Sequence, residues 1–169
     1  MTERIVHRIV ALIRQAQDLA RQLGISNLLQ PGLVKEMMIA DVLGHDVIHT
    51  KRDADAHDPA DPNILYEYLS CKEGGSGQFD RMFKEPAIER ARSLARVKRN
   101  RYIFLAVFYK DDQLRIKTIY RLEPSIVLIE VERQLDRSRN AISHVGLSIR
   151  WARENGSVVY RDPELSDSP

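Results

Sequence analysis

Cysteine, tryptophan and glycine are scarce in this chain. Its 169 residues include one cysteine, Cys71, one tryptophan and 8 glycines. A single cysteine cannot form an intramolecular disulfide, which excludes the disulfide-rich secreted domains, and it cannot supply the cysteine set of a structural zinc module. The composition is therefore typical of a protein of a reducing, cytoplasmic compartment.

Long apolar runs are also missing. Charged residues interrupt segment 1–8, so we expect neither a signal peptide nor a membrane-spanning helix there. A chain of this length, 43% hydrophobic, can bury about 70% of the surface that its unfolded form exposes. We therefore expect one soluble domain over residues 1–169, with a frayed tail at 162–169.

Charge is nearly balanced, at a formal +2, but is unevenly distributed. Residues 81–101 contain eight basic and two acidic side chains, whereas residues 53–61 contain four aspartates and no lysine or arginine. A basic segment in a near-neutral protein indicates either a surface that faces phosphates or an ordinary solvated helix face.

The spacing of apolar residues predicts both helices and strands. We expect helices at 3–23, from Pro31 to Gly44 and at about 78–98, with mixed helical character at 124–140. Strand patterns occur at 46–51, 64–72, 102–109 and 114–120, and later at 147–151 and 158–160 around the Asn155-Gly156 turn. This order predicts an α/β or α+β domain with a mixed five- or six-stranded β-sheet flanked by helices.

Two of these strands carry residues suited to metal-dependent phosphodiester cleavage. Asp55 follows one strand and Lys72 ends the next, so a hairpin would bring them together. Mg²⁺ prefers carboxylate oxygens, and a nearby cation offsets charge at the scissile phosphate. Ser70 shares the face of Lys72, whereas Glu67 faces the other way. A turn aspartate and a strand-end lysine without any function would give the same pattern.

Several short segments also resemble, in order, a known group of nucleases. They are 17–20 with 24–25, 55–58, the strand that closes on Lys72, 102–104, the hexapeptide 119–124 and the end segment 151–160. These segments are similar to those of the PvuII-like type II restriction endonucleases, in the PD-(D/E)xK nuclease superfamily. Ser70-Cys71-Lys72 looks like the Ser-x-Lys variant of that motif.

The resemblance implies a restriction-endonuclease-like fold in a bacterial cytoplasmic enzyme. Such an enzyme is a homodimer that makes Mg²⁺-dependent double-strand cuts at a short, palindromic DNA sequence. Asp55 would be a metal ligand and Lys72 the catalytic lysine. Ser70 would take the place of the usual glutamate, and the backbone carbonyl of Cys71 would complete the metal site.

The missing carboxylate must then come from elsewhere. Glu36, on the helix before the first strand, is the first candidate as catalytic residue and metal ligand. Glu85, thirteen residues after Lys72, is the alternative, and Glu67 is a third candidate. The absence of Glu-x-Lys also suits a catalytically silent DNA-binding module, and a structure-specific repair or recombination nuclease would share the metal site.

Candidate DNA contacts follow the active strand. Gln78 and Arg81 have the side-chain types that read adenine and guanine, in a segment that replaces the family's histidine-rich base-reading residues. Further candidates are Arg92, Arg96, Lys98, His144 and Arg150. The N-terminal helix is expected in a dimer contact, because a two-fold protein matches a palindromic site.

Overall fold

The computed structural model describes residues 2–50 and 54–165, and the side chains of residues 5–50 and 54–165. This part of the chain contains five α-helices, which are α1 (Thr2–Gln22), α2 (Leu33–Leu43), α3 (Ala87–Lys98), α4 (Pro124–Arg137) and α5 (Ile149–Asn155). Its strands are β1 (Asp46–Val47), β2 (Ala56–His57), β3 (Leu65–Lys72), β4 (Ser76–Phe83), β5 (Tyr102–Phe108), β6 (Ile116–Leu122), β7 (Ile142–Ser148) and β8 (Ser157–Arg161). A 3₁₀ helix follows at Pro163–Leu165.

The strands form one large sheet and one small one. The six-stranded sheet has the order β1-β2-β3-β5-β6-β8, in which β3 and β5 are parallel and the other neighbours are antiparallel. Strands β4 and β7 pair separately as an antiparallel ribbon. The predicted mixed α+β fold, with a mixed sheet flanked by helices, is confirmed.

Central strand β5 explains why helices cover both faces of the large sheet. Residues 103–108 are all buried, as expected for a strand without a polar face. Ile103, Leu105 and Val107 pack with side chains from α3, α4 and α5. Phe104, Ala106 and Phe108 pack on the opposite side, with Ile39 and Ala40 of α2 among their neighbours.

The predicted helix at 78–98 is wrong in its first half, where residues 76–83 form β4. Phe79 and Met82 are buried although they are three residues apart, a spacing that suggests a helix. A bulge between them, with Arg81 at φ 51°, produces this spacing within a strand. Gly77 packs flat on the core, because a Cβ there would come within 2.4 Å of Leu105 Cδ1.

The predicted strand at 147–151 is also wrong in part. Strand β7 ends at Ser148, whose hydroxyl accepts a hydrogen bond from the Trp151 N–H (3.1 Å) and so caps α5. His144 therefore lies on a strand, and Arg150 lies on a helix. The Asn155-Gly156 segment leads from a helix to β8 rather than joining two strands.

The two remaining boundaries differ from expectation as well. The strand expected at 46–51 is only Asp46–Val47, and residue 51 lies outside the described residues. In the expected tail, Asp162 is buried and its carboxylate pairs with Arg115 Nε at 2.7 Å. Residues 166–169 lie outside the described residues.

Helix α1 is the least buried helix of the fold. The helix predicted at 3–23 forms, but residues 5–15 are all exposed. Its apolar side chains Ile5, Ile9 and Leu12 are 53%, 49% and 63% exposed. None of the helices in the described parts of the chain combines the length and the apolar character that crossing a bilayer requires.

Candidate active site

Asp55 is fixed against β3 by two backbone contacts. Its own N–H donates to the Tyr66 carbonyl (3.0 Å), and its Oδ2 accepts a hydrogen bond from the Tyr68 N–H (2.7 Å). These two peptide groups flank Glu67. Asp55 therefore lies against the part of β3 that carries Glu67, just before the two residues of β2 that pair with this strand.

Burial raises the pKa of the Asp55 carboxyl group. The Tyr68 N–H and the positive charges of Arg99 and Arg96 oppose this rise. Both arginines belong to the C-terminal end of α3. Helix α3 thus supplies positive potential to Asp55.

Glu36 lies in the first turn of α2 and is electrostatically linked to Asp55. Burial, followed by the charge of Asp55, raises the pKa of Glu36 to about 7. Its side chain folds back toward the start of the helix, because a Cβ at Gly32 would be 2.9 Å from Glu36 Oε1. The aspartate and the first-ranked glutamate of the sequence hypothesis therefore lie within electrostatic range of each other.

Glu67 is the most buried of the three acidic residues, with 9% of its surface exposed. Its Oε2 is fully buried and has no hydrogen-bond partner within the described chain. Arg99 Nη2 is 4.0 Å from that atom, beyond hydrogen-bonding distance. Burial, then the charge of Asp55, raises the pKa of Glu67, and Arg96 and Arg99 oppose the rise. Strand alternation predicts that Glu67 points to the face of β3 opposite Lys72, which made Glu67 only the third candidate for the missing carboxylate.

Ser70, Cys71 and Lys72 lie farther along β3. Lys72 is exposed and is four residues beyond Tyr68, which corresponds to about 13 Å along a strand. Ser70 is half-buried beside Ala106 of β5, and Cys71 is part of the core. Burial raises the pKa of the Cys71 thiol to about 11, as suits a packing residue.

Glu85 belongs to a different part of the surface. It is exposed in the connection between β4 and α3, where its N–H points to the Ala141 carbonyl near the start of β7. The structure therefore associates Glu85 with the β4–β7 ribbon, whereas Glu36 and Glu67 accompany Asp55.

Oxygen ligands for a hard cation are available, although no complete cage is formed. Over residues 2–50 and 54–165, no three His, Cys, Asp or Glu side chains are placed closely enough to hold one ion. The charge of Asp55 nevertheless raises the pKa values of both Glu36 and Glu67, so the three groups share one electrostatic environment. Mg²⁺ commonly uses only one or two protein carboxylates and keeps several waters, so this donor set fits it.

A histidine–tyrosine pair lies behind the acidic residues and was not anticipated. His45 Nδ1 is 2.7 Å from the Tyr68 hydroxyl, and its ring stacks on Tyr66 with 4.0 Å between centroids. Burial lowers the pKa of His45, and Asp58 partly opposes this shift. Tyr66 and Tyr68 share one strand face, which is the only sequence signal that could have indicated this cluster.

The predicted base-reading residues lie on the β4–β7 ribbon. Gln78, Arg81 and His144 are exposed, and Gln78 is paired in register with Gly146. His144 Nδ1 is 2.9 Å from Asp80 Oδ1. These side chains project from an antiparallel ribbon, an element that can enter the major groove of DNA.

The remaining basic candidates are spread over two helices. On α3, Arg92 pairs with Glu89 (2.6 Å), Arg96 Nη1 donates to the Asp80 carbonyl (3.2 Å), and Lys98 is exposed. Arg150 on α5 pairs with Glu154 (2.8 Å). Arg96 thus links α3 to the ribbon.

The chain was compared with models of protein families and with curated proteins. No family model matches it, and no curated protein matches it.

Proposed function

We propose that the protein is a type II restriction endonuclease that makes Mg²⁺-dependent double-strand cuts at a short, palindromic DNA sequence. The observation that carries the proposal is the association of Asp55 with Glu36. These residues are far apart in sequence, yet each is partly buried and the charge of Asp55 raises the pKa of Glu36. Acidic side chains that are partly buried within electrostatic range of each other favour binding of a divalent cation.

Each residue of the site has a distinct role. Asp55 and Glu36 would hold the cation, whereas the expected Cys71 carbonyl ligand, three residues or about 10 Å beyond Tyr68 on β3, lies too far along the strand to bind the same ion. The chemistry that Mg²⁺ supplies when bound is polarisation of the phosphate and activation of water. Lys72 orients or deprotonates the attacking water and offsets negative charge on the phosphate. Ser70, next to Lys72 on the same face, donates a hydrogen bond toward the phosphate or a water.

DNA recognition is assigned to the β4–β7 ribbon and α3. The exposed Gln78, Arg81 and His144 face solvent from the ribbon and would contact base edges. Arg92, Arg96 and Lys98 on α3, and Arg150 on α5, would contact phosphates. Phosphate contacts release condensed counterions, so DNA affinity should fall steeply with salt concentration.

The homodimer is assigned to α1. Residues 5–15 of this helix are exposed and include six apolar side chains that are at least 39% exposed, namely Ile5, Val6, Ile9, Val10, Leu12 and Ile13. A second copy that packs on this face would bury them and relate two active sites by a two-fold axis. Light scattering should report a dimer for the wild type and a monomer for Ile9→Asp with Leu12→Asp. A wild-type monomer at micromolar concentration would exclude this arrangement.

Digestion of fully sequenced, unmethylated phage DNA tests the main proposal. Purified protein is incubated with about 10 mM Mg²⁺, a concentration chosen because proteins hold Mg²⁺ weakly. An EDTA control and the Asp55→Asn variant are digested in parallel. Discrete fragments that require Mg²⁺ and disappear in the variant are expected, and their mapped ends would give the site. Cutting only at flaps or junctions would indicate a structure-specific nuclease instead.

A catalytically silent DNA-binding module is the second candidate. It is favoured by the exposed position of Lys72, about 13 Å along the strand from the Asp55 contact at Tyr68. Intact phage DNA together with a mobility shift of duplex DNA would favour this candidate over the nuclease.

A further inference from the structure

Glu67 is a buried acidic residue without a satisfactory partner. Its carboxylate is enclosed by the protein, and Oε2 accepts no hydrogen bond from any described residue. An ionised carboxylate in that position is unfavourable, because the lost hydration is not replaced. Arg99, at 4.0 Å, compensates for only part of this loss because it is too distant to hydrogen-bond.

The position of Glu67 relative to Asp55 suggests what it binds. The Asp55 N–H and carboxylate contact the two peptide groups on either side of Glu67, at 3.0 and 2.7 Å. A carboxylate that reaches the peptide group next to Glu67 lies close to the base of the Glu67 side chain, so an ion bound to Asp55 is within reach of a rotated Glu67 carboxylate. Glu67 projects toward α3, where Leu69 and Cys71 on the same strand face are packed in the core.

We infer that Glu67 is a ligand of the divalent cation held by Asp55, and that it replaces the carboxylate missing from Ser70. The inference rests on the proposed function and adds a residue outside the Ser-x-Lys segment to the same site. As placed, Glu67 leans toward Arg99, so cation binding requires rotation of its side chain toward Asp55. Arg99 is then free to contact a phosphate of the DNA.

Mn²⁺ binding tests the inference without a measurement of cleavage. Mn²⁺ is titrated into the full-length protein, and the free ion is followed by its electron paramagnetic resonance signal. Glu67→Gln keeps the shape of the side chain but removes its negative charge. It should weaken Mn²⁺ binding at least about tenfold, which is the usual effect of losing a metal ligand or a group that positions one. Glu73→Gln is the matched control, because Glu73 follows β3 and pairs with Lys117, and it should change affinity by less than about twofold.

Arg99→Gln distinguishes a ligand from a simple ion-pair partner. If Glu67 binds the cation, removing the competing guanidinium should leave Mn²⁺ affinity unchanged or increase it. If Glu67 serves only to pair with Arg99, both Glu67→Gln and Arg99→Gln should lower thermal stability and neither should alter Mn²⁺ affinity. That second result would overturn the inference.

Asp55→Asn separates failure of the inference from failure of the proposed function. Weakened binding in Asp55→Asn but not in Glu67→Gln would exclude Glu67 as a ligand and leave the proposed function intact. Unchanged binding in Asp55→Asn, or no Mn²⁺ binding by the wild type, would contradict both.

A measurement on the wild-type protein covers the case in which Glu67→Gln does not fold. Fe²⁺ bound at the site, with ascorbate and peroxide, generates radicals that cut the nearby backbone. We expect cuts at residues 54–56 and also at 66–68, mapped by mass spectrometry. Cuts at 54–56 and 35–37 with none at 66–68 would overturn the inference.

Discussion

The two ends of β3 differ sharply in their surroundings. Near Tyr66 and Tyr68, Asp55 is hydrogen-bonded to the strand backbone and Glu67 is buried. At the other end, Ser70 is half-buried and Lys72 is exposed. At the first end, burial raises the pKa values of Asp55 and Glu67, and the charge of Asp55 raises that of Glu67 further. The comparison teaches that Asp55 and Glu67 are associated through the backbone contacts of Asp55 with β3 rather than through the Ser-x-Lys segment.

The same comparison separates two requirements of a phosphodiesterase. Under the proposed function, cation binding would belong to the buried end, where the charge of Asp55 raises the pKa values of Glu36 and Glu67. The lysine belongs to the exposed end, where solvent screens its charge. The two ends can act on one phosphate only if the Lys72 side chain extends back along β3 toward Asp55.

The largest expected effects are on cleavage. Asp55→Asn and Lys72→Ala should each reduce the rate of phage DNA cleavage by at least about 10³-fold, because each removes a charge from the transition state. The two variants should differ in cation binding, which Asp55→Asn weakens and Lys72→Ala leaves unchanged. Fragment formation on gels and Mn²⁺ titration measure the two properties.

A matched aspartate provides the control for these variants. Asp61 is in the turn before β3, where its carboxylate accepts a hydrogen bond from the Asn63 N–H (2.9 Å). Asp61→Asn keeps an acceptor oxygen and should cleave DNA at the wild-type rate. Wild-type cleavage by Lys72→Ala would show that the exposed end takes no part in the reaction.

The pH dependence of stability should reveal the buried end. Burial and the charge of Asp55 raise the pKa of Glu36 to about 7 in the folded protein, from its ordinary value of 4.5 in the unfolded chain. Folding therefore takes up protons between these values, and the free energy of unfolding in EDTA should fall as pH rises from about 4.5 to 7. The expected loss for this group is on the order of 1–3 kcal/mol after allowance for solvent screening.

Urea denaturation at a series of pH values measures this loss, and Glu36→Gln tests its origin. The variant should have a smaller decrease in stability than the wild type over the same pH range. An identical decrease in both proteins would assign the effect to other groups.

The Tyr68 hydroxyl should have a smaller effect, confined to stability. Tyr68→Phe removes the contact of 2.7 Å with His45 Nδ1 and should lower the free energy of unfolding by about 1–2 kcal/mol. Cation binding should not change, because the Asp55 carboxylate accepts from the backbone N–H of Tyr68, which the variant retains. Weaker Mn²⁺ binding by Tyr68→Phe would mean that the aromatic cluster positions the acidic residues.

The smallest effects are expected for two substitutions at the exposed end of β3, one measured by stability and the other by cleavage. Lys72→Ala should change the free energy of unfolding by less than about 0.5 kcal/mol, because the side chain is exposed. Ser70→Ala should reduce cleavage only modestly, by less than about tenfold, if the hydroxyl donates a single hydrogen bond. A loss in Ser70→Ala as large as that in Asp55→Asn would place the reaction centre at Ser70.

Much of the fold could be predicted from sequence because local patterns agreed with the final packing. The apolar run at 102–109 predicted β5, and the spacing over 3–23 predicted α1. Ribbon strand β4 could not be predicted, because its bulge at Arg81 spaces Phe79 and Met82 as a helix does. Residues 147–151 were misassigned because a serine cap at Ser148, recognised only by its hydrogen bond, starts α5.

The candidate site was predictable in part. Asp55 and Glu36 were expected from their positions beside strands, and the structure associates them. Strand alternation correctly separated Glu67 from Ser70 and Lys72, but it gave no indication that Asp55 bonds to the peptide groups on either side of Glu67. Those bonds depend on how the chain enters the short β2–β3 pairing, which the sequence pattern does not show.

The sequence by itself determined the class of fold, because buried strands and amphipathic helices follow from the spacing of apolar residues. It also determined that carboxylates and basic residues are available for phosphate chemistry. Only the tertiary structure decided which acidic residues influence one another electrostatically, because the positions of Asp55, Glu36 and Glu67 depend on strand contacts and helix packing. The burial of Glu67 Oε2 without a hydrogen-bond partner among the described residues is likewise a property of the tertiary structure, because elements distant in the chain enclose this atom.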